Sequence, residues 1–215
     1  MTWADEHVHA ILQAWYPGAQ GGRAVAGALF GDFSPAGRLP VTFYRTTEEL
    51  PPFKDYSMKN RTYRYMKNEA LYPFGYGLSY TKFEYKDICL NKTLINAGES
   101  AKVSVKVKNC GQRRSDEVAQ LYLKSAEAGD EAPKWQLRGF KRITLNPGEE
   151  ALVEFHLLPW HMAMVDDCGR SVVKLGKYEV YVGGSQPDSR SIELTQTPVL
   201  KAEFCVQGAE IEIED

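Results

Sequence analysis

The sequence predicts a mainly β protein: an antiparallel β-sandwich preceded by a partial α/β segment. Three observations carry this reading. Residues 101–108 (AKVSVKVK) alternate strictly, placing Val103, Val105 and Val107 on one face of a half-buried strand. Short apolar runs at 118–123, 137–145, 151–157 and 178–182 continue the series, at the spacing of a sandwich of about seven strands. Residues 14–43 are punctuated differently, in the order strand, tight turn, helix, turn, strand, which is the grammar of an α/β unit.

Taken in order, residues 7–15 (HVHAILQAW) form a nearly continuous apolar run. Periodicity alone fits a strand buried on both faces or a helix; the Pro17-Gly18 stop and the helix after it favour the strand. Gly21-Gly22 opens a helical run at 24–30, residues 31–37 form a turn, and Arg38 to Phe43 reads as extended. One or two parallel strands are not stable alone, because such strands need neighbours and covering helices. The expectation is therefore that the chain begins inside a larger domain. From residue 44 to 80 prolines and aromatic residues accumulate without periodicity, as in a linker whose rings are pinned on a neighbouring surface. The turns Asn96-Ala97-Gly98-Glu99 and Asn146-Pro147-Gly148-Glu149 each supply a glycine where φ > 0 is wanted. Residues 160–165 (WHMAMV) fit one helical turn, and Asp166-Asp167-Cys168-Gly169 a turn. The end, EIEIED, alternates apolar and acidic residues and fits an edge strand or, the preferred reading, a frayed acidic terminus. The division expected is 1–45 for the incomplete α/β part, 46–82 for the linker, 83–198 for the sandwich and 199–215 for an acidic tail.

The 215 residues carry a formal net charge of −2, with no basic stripe for nucleic acid and no apolar run long enough for a membrane. No leader pattern opens the chain. Cys89, Cys110, Cys168 and Cys205 form no CxxC pair, which argues against zinc or redox chemistry. Free thiols are the plain reading and favour the cytoplasm over secretion; one disulfide in the β-rich half stays open.

Residues 14–43, from Trp15-Tyr16-Pro17-Gly18 through Gly21-Gly22 and Leu29-Phe30-Gly31 to Pro35, Gly37 and Arg38-Leu39-Pro40-Val41-Thr42-Phe43, resemble the C-terminal part of the family 3 glycoside hydrolases. Asn60-Arg61-Thr62-Tyr63-Arg64-Tyr65 and residues 71–80 (LYPFGYGLSY) match two further blocks of that family. Leu137-Arg138-Gly139-Phe140, the Pro147-Gly148-Glu149 turn and residues 176–183 (GKYEVYVG) resemble the immunoglobulin-like, fibronectin type III-like domain that ends many members. Gln20 stands where the family usually has Glu, Asn60 where it has Gly, and Val172-Val173 where it often has Trp.

The resemblance implies a retaining, exo-acting β-xylosidase or β-glucosidase, leaning to the xylosidase branch, with no cofactor. Its partners would be an upstream (β/α)8 barrel, an α/β sandwich domain and a β-linked oligosaccharide. Retaining glycosidases need two carboxyl groups flanking the scissile bond. In the family both lie upstream of the blocks matched here, so no catalytic residue is assigned and the isolated chain is expected to be catalytically silent. Asp32, Glu48, Glu49 and Asp55 read as turn or surface acids. Gly21-Gly22 reads as a tight turn rather than a phosphate loop, lacking the Lys-Ser/Thr of one. His7 and His9 share a strand face but have no third metal ligand. His156 and His161 read as structural. Arg61, Tyr63 and Arg64 are the candidate substrate-binding residues, since forked donors and aromatic faces suit sugars; the competing reading is that they staple the linker to the sandwich. Trp135 fits a sugar platform or an interface equally. The rival function is a non-catalytic carbohydrate-binding or scaffold module, and a third is a separate subunit completing an enzyme in trans.

Overall fold

A computed structural model describes residues 1–126, 129, 132–166 and 168–213. Asp167 of the expected turn and Glu214-Asp215 of the expected tail lie outside the described residues. The sandwich dominates. One sheet is built from β1 (Phe83–Leu90), β3 (Ala101–Asn109) and β6 (Glu150–Leu157), in the order β1-β3-β6. The other contains β2 (Leu94–Asn96), β4 (Ser115–Ser125), β5 (Gln136–Leu145), β9 (Gly176–Gly183) and β10 (Leu200–Gln207), in the order β2-β10-β9-β4-β5. All pairings are antiparallel except β2 with β10. A small sheet of β7 (Met164–Val165), β8 (Ser171–Val173) and β11 (Ile211–Glu212) closes one edge.

The alternation read in β3 sets the core. Val103, Val105 and Val107 are fully buried and lie opposite Phe155, Val153 and Ala151 of β6. From the facing sheet come Leu121 and Leu123 of β4, Tyr178, Val180 and Val182 of β9, and Phe204 and Val206 of β10. Strand β4 departs from alternation: Ala119 to Leu123 are five buried residues in a row. A strand with that pattern is covered on both faces. Leu121 and Leu123 face the core, while Gln120 and Tyr122 face the linker.

The amino-terminal part has two helices, α1 (Thr2–His7) and α2 (Gly21–Phe30). Helix α2 ends in a Schellman arrangement: Gly31 N donates to Ala28 O at 3.2 Å and Asp32 N to Gly27 O at 2.8 Å, with Gly31 at φ 80°. The extended residues 39–43 then lie along residues 71–76. Phe43 N donates to Tyr72 O, Leu71 N to Phe43 O, Leu39 N to Tyr76 O and Gly75 N to Leu39 O, all between 2.8 and 3.0 Å. The two motif blocks that look unrelated in the sequence are thus one hydrogen-bonded unit. Short helices α3 (Thr62–Tyr65), α4 (Pro159–Met162) and α5 (Ser189–Thr195) fill the linker and the sandwich rim. Helix α5 is capped by Asp188, whose carboxylate accepts from Ser191 N at 2.6 Å.

Two expectations are corrected. Residues 7–15 are not a strand: His7 ends α1, and the chain runs irregularly to Trp15, which sits at φ 53°. A strand must satisfy its backbone groups sideways, and this stretch has no strand beside it among the described residues. Local contacts take over instead: Trp3 stacks on His7 at 4.8 Å, and His7 Nδ1 lies 2.8 Å from Trp3 O. His7 and His9 therefore do not share a strand face. The acidic tail expected from residue 199 is not a tail over residues 200–212. Leu200–Gln207 is β10, between β9 and β2, and β11 pairs with β8. Phe204 and Val206 bury completely or nearly so, and that burial outweighs the acidic character of the final residues.

The seat of the linker on β4 allows a test with an internal control. A Cβ at Gly75 (φ 79°) would collide with Gln120 Oε1 and the Tyr122 hydroxyl, whereas one at Gly148 (φ 78°) meets nothing within 4 Å. Gly75→Ala is expected to cost roughly 2–4 kcal/mol of stability, and Gly148→Ala only about 1–2 kcal/mol. Urea unfolding of the two variants checks the difference; equal losses would deny the close seating.

Candidate functional site

The polar residues of this chain converge where the linker and residues 31–43 meet β4. Gln120 is the first anchor. Its amide nitrogen donates to Gly75 O at 3.0 Å and Gly184 O at 2.8 Å, and its carbonyl accepts from the Tyr122 hydroxyl at 2.6 Å. Burial pushes the Tyr122 hydroxyl pKa well above its ordinary value, keeping it a donor. The rings of Tyr122 and Tyr63 meet nearly perpendicular at 6.2 Å, and Tyr63 stacks on Phe74 at 4.2 Å.

The second anchor is ionic. Arg38 Nη2 lies 2.6 Å from Glu117 Oε2, and the Tyr85 hydroxyl donates to Glu117 Oε1 at 2.6 Å. Glu117 is 2% exposed and the Arg38 side chain 10%. A Cβ at Gly184 would sit 2.6 Å from Glu117 Oε1, so the glycine makes room for the carboxylate. Burial pushes the Glu117 carboxyl above its ordinary 4.5, against the pull of the Arg38 guanidinium and the Tyr85 hydroxyl. Tyr85 rises well above 10.0, first by burial and then by the Glu117 charge. The arrangement is a lock: one residue each from the start of the extended segment after α2, from β1 and from β4.

Two smaller ties support it. Tyr80 donates from its hydroxyl to Ala28 O at 2.8 Å, and Arg113 reaches Gly31 O at 3.1 Å while covering the Tyr80 ring. Tyr72 donates to Asp5 at 2.6 Å; burial, then that carboxylate, raises its pKa to about 12.

The structure brings two of the three candidate substrate-binding residues, Tyr63 and Arg64, together and places Arg61 apart. Tyr63 is partly buried, and its hydroxyl accepts from Leu137 N at 3.0 Å. Arg64 sits over the Tyr63 ring at 5.9 Å, and its carbonyl accepts from Lys134 N at 2.8 Å. Both therefore join the linker to the start of β5. Arg61 turns away to the carbonyls of residues 52–57. Trp135 is partly buried. His161 Nδ1 accepts from Leu158 N at 2.8 Å, closing α4. The four cysteines are free and exposed. Among the described residues no group of three His, Cys, Asp or Glu side chains gathers as a metal site would need.

Glu117, Gln120 and Tyr122 were not singled out from the sequence. Their signal is a polar Gln inside an apolar strand run, residues 118–123 (VAQLYL), which a half-exposed strand would place in water.

Comparison with known proteins agrees with this construction. Residues 1–80 match the glycosyl hydrolase family 3 C-terminal domain, and residues 117–186 the fibronectin type III-like domain. A xylan 1,4-beta-xylosidase of Xylanibacter ruminicola is 42% identical over 193 residues, covering 89% of this chain and 22% of that protein. A periplasmic beta-glucosidase of Salmonella typhimurium is 37% identical, covering 83% of this chain and 25% of that protein. Among solved structures, beta-glucosidase 3B from Thermotoga neapolitana in complex with glucose superposes with a TM-score of 0.84 at 32% identity, over 100% of this chain and 30% of that one. Beta-glucosidase from Listeria innocua in complex with glucose gives 0.79 at 32% identity, over 95% and 29%. The chain thus spans about a quarter of the length of the curated relatives it matches.

The lock predicts a particular mutational pattern. Glu117→Ala or Arg38→Ala should each cost about 3–5 kcal/mol, because each strands a buried charge. The double change Arg38→Met with Glu117→Leu should lose clearly less than the sum. The pH dependence has a definite sign. Because the folded pKa of Glu117 is raised, its contribution is fully present below the unfolded pKa and lost as pH rises through the folded one. The melting temperature of the wild type minus that of Glu117→Gln should therefore be greater at acidic than at neutral pH. A flat difference would contradict the raised pKa of Glu117, and additive single losses would contradict the lock. On its fold, its motif blocks and its relatives, the chain belongs to glycoside hydrolase family 3, corresponding to the C-terminal part with its fibronectin type III-like domain.

Proposed function

We propose that this chain is the C-terminal portion of a retaining, exo-acting β-glycosidase, a β-xylosidase or β-glucosidase, and that its own task is to stabilise and dock the catalytic domains. The single observation that carries this is the Arg38–Glu117–Tyr85 lock. It spends the buried carboxylate on structure and fixes the α/β end of the chain to the sandwich. The apolar surface of the amino-terminal part supports the same reading. Trp3 is 68% exposed, Leu29 65% and Phe30 86%. Exposed apolar side chains gathered in one part of a chain mark an interaction surface. The occupants proposed are the remaining α/β sandwich and the (β/α)8 barrel of the same enzyme, with a β-linked oligosaccharide as substrate of the whole. The free, exposed thiols favour a reducing compartment, the cytoplasm, as the site of action.

The test compares two proteins: the chain alone, checked for folding by circular dichroism, and the same chain joined to the barrel-bearing sequence it accompanies. Aryl β-xylosides and β-glucosides are the substrates. The joined protein is expected to hydrolyse one of them and the isolated chain none. Turnover that tracks the isolated chain would place a catalytic carboxylate pair inside these residues and overturn the proposal.

A further inference from the structure

The loop before α3 is built in a way that the docking role does not use. Residues 52–59 are exposed one after another. Apolar burial therefore does not set their shape, and a free chain of this length would sample many conformations. Arg61 sets it from within. Its Nε donates to Ser57 O at 3.0 Å, and its Nη2 donates to Pro52 O at 3.4 Å and to Asp55 O. Two turns complete the frame: Asp55 N donates to Pro52 O at 2.9 Å, and Arg61 N to Met58 O at 3.0 Å. The Asp55 carboxylate accepts from Ser57 N at 2.9 Å, and that bond holds its pKa below the ordinary value.

This frame presents two rings to solvent. Phe53, at the corner of the first turn, is 93% exposed, and Tyr56 is 89% exposed. Charges stand between and beside them: Lys54, Asp55 and Lys59 are all exposed. A protein face pressed on this loop would strand those charges away from water. A sugar chain would not. A pyranose ring offers a C–H face that stacks on an aromatic ring, and its hydroxyls reach the flanking charges or stay in water. Pre-ordering the rings also removes entropy that binding would otherwise cost.

We propose that the Phe53–Tyr56 loop is an accessory carbohydrate platform that takes a β-linked oligosaccharide by stacking, and that Arg61 is the positioning residue that holds it open. The choice of ligand rests on the glycosidase reading above.

Saturation-transfer NMR and calorimetry of the 215-residue chain with xylohexaose and with laminarihexaose test it. Binding is expected for at least one, with transfer to the loop's aromatic protons. Phe53→Ala and Tyr56→Ala should each weaken it about threefold to tenfold, and the double variant should abolish it, with unchanged melting temperature. Arg61→Gln should weaken binding although its side chain touches no sugar, and narrowed loop amide shifts in the NMR spectrum should report the lost frame. Trp3→Ala, an exposed ring outside the loop, should leave binding intact. No binding by the wild-type chain, or binding indifferent to the double variant, would overturn the platform. So would a double variant that binds sugar normally but no longer associates with the catalytic domains, which would make the loop a docking face. None of these failures touches the glycosidase reading, which is decided by hydrolysis in the joined protein.

Discussion

The burial of Glu117 constrains the rest of the molecule. A carboxylate at 2% exposure costs several kcal/mol in desolvation unless its oxygens are matched. Here both are, one by Arg38 and one by Tyr85. Each partner comes from a different part of the chain, so the requirement to satisfy one charge fixes three segments at once. Arg38 cannot leave without stranding Glu117, and the start of the extended segment after α2 therefore stays on the sandwich. Replacing such a pair with apolar residues is often neutral or stabilising. Its presence is better explained by position than by stability: an apolar contact tolerates sliding, whereas a bonded guanidinium on a carboxylate does not.

The aromatic linker is the layer that this lock holds in place. Residues 39–43 hydrogen-bond to residues 71–76, and that unit lies on β4 through Gly75, Gln120 and Tyr122. Tyr63 joins Phe74 of the linker to Tyr122 of β4 by ring contacts, beside the buried Gln120 amide that Tyr122 hydrogen-bonds. An unpaired buried amide is costly, so the rings and the hydrogen bonds depend on each other. The linker behaves as a third layer of the sandwich rather than as a tether.

The sandwich was legible because its strands are covered unequally. One face in water and one in the core write alternation directly into β3, β6 and β9. Strand β4 was legible as a strand, but its second buried face was not, since a Gln among apolar residues reads equally as solvent-facing. Residues 7–15 misled because composition reports burial, not partners; the run is apolar, yet among the described residues no neighbouring strand takes its backbone bonds. The end misled the other way. Acidic residues suggested fraying, while Phe204 and Val206, a few positions earlier, belong to the core. Arg61, Tyr63 and Arg64 were legible as a cluster of unusual types but not as a geometry: Tyr63 and Arg64 turn together toward the start of β5, while Arg61 turns to the loop before α3. Sequence order carries no information about where a helical turn aims its side chains beyond its own period.

The two halves of the chain bury their apolar residues to different degrees, and this difference orders their roles. Every inward position of β3 is buried, so the sandwich encloses a complete apolar core. In α2, by contrast, Gly21, Gly27 and Ala28 are the buried residues, while Leu29 and Phe30 face out. Small residues pack inward because the backbone of α2 must approach its own surroundings closely: a Cβ at Gly27 would sit 2.9 Å from the Phe33 ring. Large residues pointing outward then have no structural purpose within these contacts. A buried core thus carries an exposed apolar surface, and the lock at Glu117 fixes the segment that bears that surface to the core.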